Sequence, residues 1–272
     1  MPRQRRRPGS LTAVGCGIDL AGQTTLAARG AIEAADVVLY VVNSAATVVW
    51  IESLNRNVRS LHDCYREGED RRRAYRRMVE RILAKVRAGN EVCAVFYGHP
   101  GVFVWPSHEA IRIAREEGYP ARMLPGISAE DCLFADLGFD PGRSGCQSHE
   151  ATDFLLRRLR FDPTSALLLW QVGTVGDLTY HGGSYRLRAL PLLVEALAEH
   201  YPRSHPALLY RASEFPVCPA QVRKVTIGGL VRARPHAFET LYVPALPPRR
   251  LDPAVVARLG LSPARDRRRR PR

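Results

Sequence analysis

Apolar positions in this chain fall into two patterns, unbroken short runs and longer stretches in which they recur every three to four residues. Val37 to Val42 and Val92 to Phe96 are unbroken runs of the kind that strands show when both faces are buried. Residues 70–88 show the other pattern, with Tyr75, Met78, Val79, Ile82 and Val86 on one helical face. In chain order the first half predicts a strand at 11–15, a helix at 24–35, strand 37–42, helix 70–88, strand 91–97, helix 107–118 and a short strand at 121–124. The second half predicts helices at 129–137 and 149–159, strand 165–172, helix 189–200 and strands at 206–210, 221–226 and 237–243. Alternation of buried strands with amphipathic helices implies an α/β fold with a largely parallel sheet, and the closely spaced final strands imply a mixed one. Pro125-Gly126 breaks the rhythm, so we expect two α/β domains, 10–125 and 126–248, with a ligand cleft between them. Residues 1–9 and 249–272 are left as basic extensions.

Length and composition support this division, since 272 residues at 46% hydrophobic composition can bury a sizeable core. No apolar stretch approaches the ~20 residues needed to span a bilayer, and the arginine-rich start lacks the apolar region of a signal peptide, so a cytoplasmic protein is expected. Six scattered cysteines show no metal-type or redox-type spacing, which predicts reduced thiols and no metal site. The net charge of +13 suggests nucleic acid, but residues 1–8 carry +4 of it and residues 264–272 carry +5. Such terminal runs have nothing to bury and are expected to be disordered, solvated arms, which weighs against a nucleic-acid surface.

Candidate chemistry gathers where strands end. Tyr97-Gly98-His99-Pro100-Gly101-Val102-Phe103 follows the run 92–96 directly, and ligands of open α/β sheets bind at strand carboxyl ends. Its glycines permit close backbone approach, while Tyr97 and His99 bring polar groups. A second loop, Leu124-Pro125-Gly126-Ile127-Ser128-Ala129-Glu130-Asp131, offers Ser128 as the cap of the next helix. The opening Gly15-Cys16-Gly17 lacks the third glycine of a dinucleotide fingerprint, which argues against NAD. On the helix at 70–88, Arg71 lies one turn before Tyr75 on the apolar face, whereas Arg72, Arg73, Arg76, Arg77 and Arg81 point elsewhere and are expected to be solvated. An arginine beside a buried stripe either snorkels past the helix end or borders a polar cavity, and spacing alone leaves both open.

Together with the run from Leu26 to Tyr40, these loops resemble the tetrapyrrole-methylase superfamily of S-adenosylmethionine-dependent methyltransferases, over residues 10 to about 248. Within it, Tyr97 to Phe103, Ala121 to Gly126, Phe134 to Pro141 and Leu169 to Gly173 are similar to the borosin peptide-backbone α-N-methyltransferases. The resemblance implies a catalytic set of Tyr65, Arg71, Tyr75 and Tyr97, the four-residue spacing to Tyr75 selecting Arg71. A backbone amide nitrogen is a poor nucleophile because its lone pair is delocalised into the carbonyl. A guanidinium beside the amide oxygen would stabilise imidate-like charge and would also lower the pKa of a nearby tyrosine, which makes Tyr75 the candidate base. For the cofactor, S-adenosyl-L-methionine, the resemblance implies contacts from Tyr97, His99, Val102, Phe103, Ser128, Ala129, Gln171, Tyr210, Ala212 and Thr240. Trp170 is expected in the core.

Two other readings stand beside this one. The first is a superfamily methyltransferase acting on a tetrapyrrole or ribosomal RNA, and the second a non-catalytic protein that binds a peptide or nucleic acid. The apolar stretch Leu190-Pro191-Leu192-Leu193-Val194 suggests a homodimer. Beyond the last predicted strand lie a short segment, 253–259, and an arginine run from Arg265 to Arg272 whose bulky charges suit a narrow methylation cleft badly. The expectation is therefore a split system, in which a separate precursor peptide binds in trans and two peptides join the dimer as a heterotetramer.

Overall fold

The computed structural model describes residues 8–183 and 185–261. Its first half runs β1 (Ser10–Gly15), α1 (Leu26–Ala34), β2 (Val37–Val41), α2 (Ala45–Leu54), β3 (Val58–Ser60), α3 (Arg71–Arg87), β4 (Glu91–Phe96), α4 (Trp105–Glu116) and β5 (Ala121–Met123). The second half runs α5 (Ala129–Leu137), α6 (Pro141–Ser144), β6 (Cys146–Glu150), α7 (Ala151–Arg157), β7 (Ala166–Trp170), α8 (Leu190–Ala198), β8 (Pro206–Arg211), β9 (Gln221–Thr226), α9 (Leu230–Ala233), β10 (Thr240–Val243) and α10 (Pro253–Arg258).

The first sheet has the order β3-β2-β4-β1-β5 and every pairing is parallel. Burial on both faces explains its unbroken apolar strands: α3 and α4 cover one side through Met78, Ile82, Leu83 and Ala110, while α1 and α2 cover the other through Ile32 and Ile51. The second sheet has the order β6-β7-β10-β8-β9, in which only β6 and β7 run parallel. Short connections after β8 allow antiparallel pairing, so this sheet is mixed. Among the described residues no helix is long and apolar enough to cross a membrane.

Six elements were absent from the sequence expectation: the short helices α6, α9 and α10, and α2, β3 and β6. Helix α2, Ala-Ala-Thr-Val-Val-Trp-Ile-Glu-Ser-Leu, is apolar nearly all round and buries only Thr47 and Ile51, so its periodicity is faint. Strand β3 is three residues long and mostly exposed, and β6 is the polar run Cys-Gln-Ser-His-Glu, a strand only because it pairs with β7. The helix expected at 149–159 accordingly starts at Ala151. Gly9, assigned to the basic tail, is packed: a Cβ there would sit 1.9 Å from the Val86 carbonyl oxygen. The expected disorder of the arginine runs lies outside the described residues. The stretch 190–194 is mostly covered within its own chain, with Leu190, Leu193 and Val194 buried and Leu192 exposed, so by itself it does not call for a second subunit.

Tyr201 is 2% exposed and its hydroxyl has no partner among the described residues. Burial pushes its ionisation up to about 12. A folded-state pKa above the unfolded value contributes stability that is complete below pH ~10 and is lost as pH climbs towards the folded value. Tyr201→Phe is therefore expected to leave thermal stability at pH 7 unchanged or up to ~1–3 kcal/mol higher, the range for an unsatisfied buried group. It should also flatten the alkaline loss above pH 10 in denaturant melts. A less stable protein at pH 7 would contradict this.

Candidate active site

The carboxyl ends of β1, β2 and β4 face β7, β8 and β10 of the second domain across a cavity of about 570 Å³. All thirteen residues singled out in the sequence line it: Tyr65, Arg71, Tyr75, Tyr97, His99, Val102, Phe103, Ser128, Ala129, Gln171, Tyr210, Ala212 and Thr240.

One end is built from backbone. Strands β1 and β4 are neighbours, so their exits run side by side, and the amide of Gly98 donates to the carbonyl of Gly17 at 2.9 Å while Gly17 N–H returns a 3.3 Å bond to Gly98. That pairing brings the Gly98 carbonyl so close to Gly15 that a Cβ on Gly15 would sit 2.0 Å from its oxygen. Gly98 itself has φ 70°, a left-handed conformation natural to glycine. The His99 ring folds back over the loop, its Nδ1 accepting from the Gly101 amide at 2.9 Å. Phe103 (φ 55°) and Gln171 (φ 58°) hold left-handed conformations that cost non-glycine residues about 1–3 kcal/mol, and both turn to the cavity. The Phe103 ring is 48% exposed and its centroid lies 5.7 Å from that of Trp170. Trp170, expected in the core, is buried and also lines the cavity, its Nε1 donating to Ser148 at 2.6 Å.

Ser128 caps α5 in a capping box: its Oγ accepts from the amides of Glu130 and Asp131, and the Asp131 carboxylate accepts from the Ser128 amide at 2.7 Å. Tyr210 opposite is 1% exposed and donates to Asp136 at 2.6 Å. Burial, and then this carboxylate, raise its ionisation well above the phenol range, so it serves as a donor.

The other end is aromatic and cationic. Asp70 caps α3, so the helix begins at Arg71 and its guanidinium leaves the first turn towards the second domain. Nη2 donates to the carbonyl of Asp177 at 2.5 Å, Nε to that of Leu178 at 3.4 Å, and Nη1 to Gln171 Oε1 at 3.4 Å. All three acceptors are neutral. Arg77 and Arg81, expected to be solvated, are instead paired: Arg77 bonds Glu69 and the Cys64 carbonyl, and Arg81 bonds Asp63. Tyr65 packs edge-on to Tyr75 with centroids 6.2 Å apart and stacks on Tyr180 at 4.5 Å.

One expectation needs correcting. Arg71 does pull the ionisation of Tyr75 down, as does a hydrogen bond from Tyr65, but burial outweighs both and Tyr75 ends up above the ordinary phenol value. Tyr65 is raised further, by burial first and then by Tyr75, and Tyr97 is raised by burial and then by Glu214. Near neutrality these are hydroxyls, not phenolates. The sequence reasoning also missed Tyr180, His181 and Tyr185, which line the same end. They lie on an irregular segment without periodicity, and its aromatic-histidine run Tyr180-His181 is the one signal that could have drawn attention to it.

Comparison with known proteins follows this architecture. The chain is 42% identical over 262 residues to the methyltransferase/ribosomally synthesized cyclic peptide dendrothelin A precursor of Dendrothele bispora. It is equally identical, over the same length, to the corresponding omphalotin A precursor of Omphalotus olearius. Each match covers 95% of this chain and 63% of the relative, so the chain spans less than two thirds of those proteins. Among solved structures, uroporphyrin-III-C-methyltransferase from Thermus thermophilus superposes with a TM-score of 0.63 at 21% identity, covering 88% of this chain and 93% of that one, which is a likeness of fold. With residues 10–213 matching its family pattern, the chain belongs to the Tetrapyrrole (Corrin/Porphyrin) Methylases.

Proposed function

We propose that the chain is an S-adenosyl-L-methionine-dependent methyltransferase that methylates backbone amide nitrogens of a ribosomally made peptide. The observation that carries this reading is one cavity holding the Arg71 guanidinium, whose hydrogen-bond partners among the described residues are all neutral, beside Tyr65 and Tyr75, with the glycine loop of Tyr97 at its other end. The names of the relatives, which join methyltransferase and peptide precursor, point the same way.

The residues present suit the cofactor. Phe103, Val102 and Trp170 give an apolar surface for a flat base, and Ser128, Gln171 and Thr240 offer polar atoms around it. Two strained residues, Phe103 and Gln171, are held against this space, as strain commonly is at binding sites. When bound, S-adenosylmethionine supplies an electrophilic methyl group. The chain's part is to position the amide and manage its proton. Arg71 donates towards the amide oxygen and favours imidate-like charge, while Tyr75, packed edge-on against Tyr65 in the same cavity, takes the amide proton. Positioning can lower such a barrier by ~7–11 kcal/mol, against ~10²–10⁴-fold from a general base, so a base held mostly protonated is sufficient.

This has a pH consequence. If Tyr75 removes the proton, its reactive form is the deprotonated one, and burial holds its pKa above the ordinary 10.0. kcat/KM is then expected to rise with pH across the whole range 7 to 10 without levelling, and the rise should vanish in Tyr75→Phe. A plateau near pH 7 would assign the proton to another group.

The proposal includes a peptide supplied in trans to a cytoplasmic homodimer, two peptides completing a heterotetramer. Exposed apolar side chains such as Leu26 and Val49 are consistent with a subunit contact. Incubation with S-adenosylmethionine and candidate precursor peptides, read by tandem mass spectrometry, should show increments of about one CH₂ on backbone nitrogens. Methyl groups on the protein's own chain after expression alone would overturn the trans reading, and a monomer of 30.3 kDa in sedimentation would overturn the dimer.

A further inference from the structure

The segment 174–183 is a strap that lines the cavity through Thr174, Tyr180 and His181 and is tied to the residues before α3 at several points. Gly68 N–H donates to the Tyr180 carbonyl at 2.9 Å, Tyr180 N–H to that of Glu69 at 2.8 Å, and Arg71 N–H to that of Leu178 at 3.1 Å. The Asp177 and Leu178 carbonyls are the ones that hold the Arg71 guanidinium. The carboxylate of Asp177 therefore belongs to a residue already touching Arg71, yet it takes no part in that contact. It is turned into the strap, where Oδ1 accepts from the Thr179 amide at 2.9 Å and from the Thr179 hydroxyl at 2.5 Å. Its Oδ2 lies 3.4 Å from His181 Nε2. The His181 ring is fixed in turn, with Nε2 2.7 Å from the Thr179 hydroxyl and Nδ1 2.8 Å from Glu67, whose other oxygen accepts from the Gly182 amide at 2.8 Å.

We propose that Thr179 and His181 are positioning residues that hold the Asp177 carboxylate away from Arg71, so that the guanidinium keeps its full charge for the substrate. This rests on the reading of Arg71 as the group that polarises the amide. An anion beside a cation in a half-buried site is drawn to pair with it, and a bidentate carboxylate would take up the donors that face the cavity. Asp177 is available for such pairing: burial pushes its carboxyl up, but Thr179, His181 and Arg71 outweigh this and leave it below the usual carboxylate range. The strap gives that charge two hydrogen-bond donors, the amide and hydroxyl of Thr179, with the His181 ring beside its other oxygen, and only neutral oxygens bond Arg71 among the described residues. Glu67 keeps the ring of His181 in the orientation this needs.

The test uses the full chain with a methylatable peptide. Thr179→Val keeps the shape of the side chain and removes the hydroxyl. It is expected to lower kcat by about tenfold with KM little changed, less than the ~10²–10³-fold that loss of a whole electrostatic donor costs. Adding Asp177→Asn, which removes the competing charge, should restore most of the rate. A purely structural role for Thr179 predicts that the double variant is as slow as the single one, and this result would overturn the proposal. A second readout needs neither peptide nor cofactor. The phenolate absorbance of Tyr75, taken as the difference from matched Tyr75→Phe proteins, should titrate at higher pH in Thr179→Val and return in the double variant, because pairing of Arg71 weakens its field on Tyr75. An unmoved titration would also overturn it. Should no peptide be methylated even by the unaltered protein, the functional reading fails, while the titration still decides this one.

Discussion

Arg71→Ala should cut kcat/KM for peptide methylation by ~10²–10³-fold or more while leaving the affinity for S-adenosylmethionine within about threefold. The size follows from the site. The guanidinium is held by three neutral acceptors, two carbonyls and the Gln171 amide oxygen, so its charge is not spent on a carboxylate. Its link to Gln171, the one assigned cofactor contact it touches, is long at 3.4 Å and contributes little to holding that residue. Arg71→Lys keeps a charge but not the fork that binds Asp177 and Leu178 together, and should fall between the two. Calorimetry with the demethylated cofactor separates the roles: loss of cofactor binding in Arg71→Ala would move Arg71 from the amide to the cofactor.

Gly15→Ala should be among the most damaging small substitutions in the first half of the chain. A Cβ at this position would lie 2.0 Å from the Gly98 carbonyl oxygen and 2.8 Å from Pro100 Cδ, neither of which is a flexible side-chain end. Strand β1 cannot yield, since it is paired on both sides with β4 and β5. The glycine loop must move instead, and with it Tyr97 and His99. We expect a stability loss of about 3 kcal/mol or more, at the upper end of overpacking costs, together with loss of cofactor affinity. Gly30→Ala is the control. Gly30 lies inside α1 with nothing within 4 Å of a new Cβ, and alanine there should stabilise by ~1 kcal/mol, roughly 2–4 °C in Tm for a protein of this size. Equal melting temperatures for the two variants would show that the glycine loop is not built on this close approach.

Features under local chemical control were legible in the chain. Helix α5 was expected at 129–137 and is found there, because Ser128 and Asp131 carry a capping box in four consecutive residues. The runs that became β2 and β4 were legible because burial on both faces leaves no polar alternation to misread. The stripe on α3 followed from its period, and the glycine loops followed from residue type at the strand ends. The full set of thirteen residues was named only with the help of a resemblance, and their meeting around one cavity is seen in the structure alone, since no spacing in the chain joins Tyr75 to Thr240. The remainder depends on long-range packing. Strand β6 is polar and exists because β7 offers it a partner, and residues 174–183 carry no pattern, since their bonds run to positions more than a hundred residues earlier. Tyr75 shows the limit most plainly. Sequence proximity to Arg71 argued for a lowered pKa, but desolvation depends on everything packed around a hydroxyl, and here it exceeds the pull of the neighbouring charge.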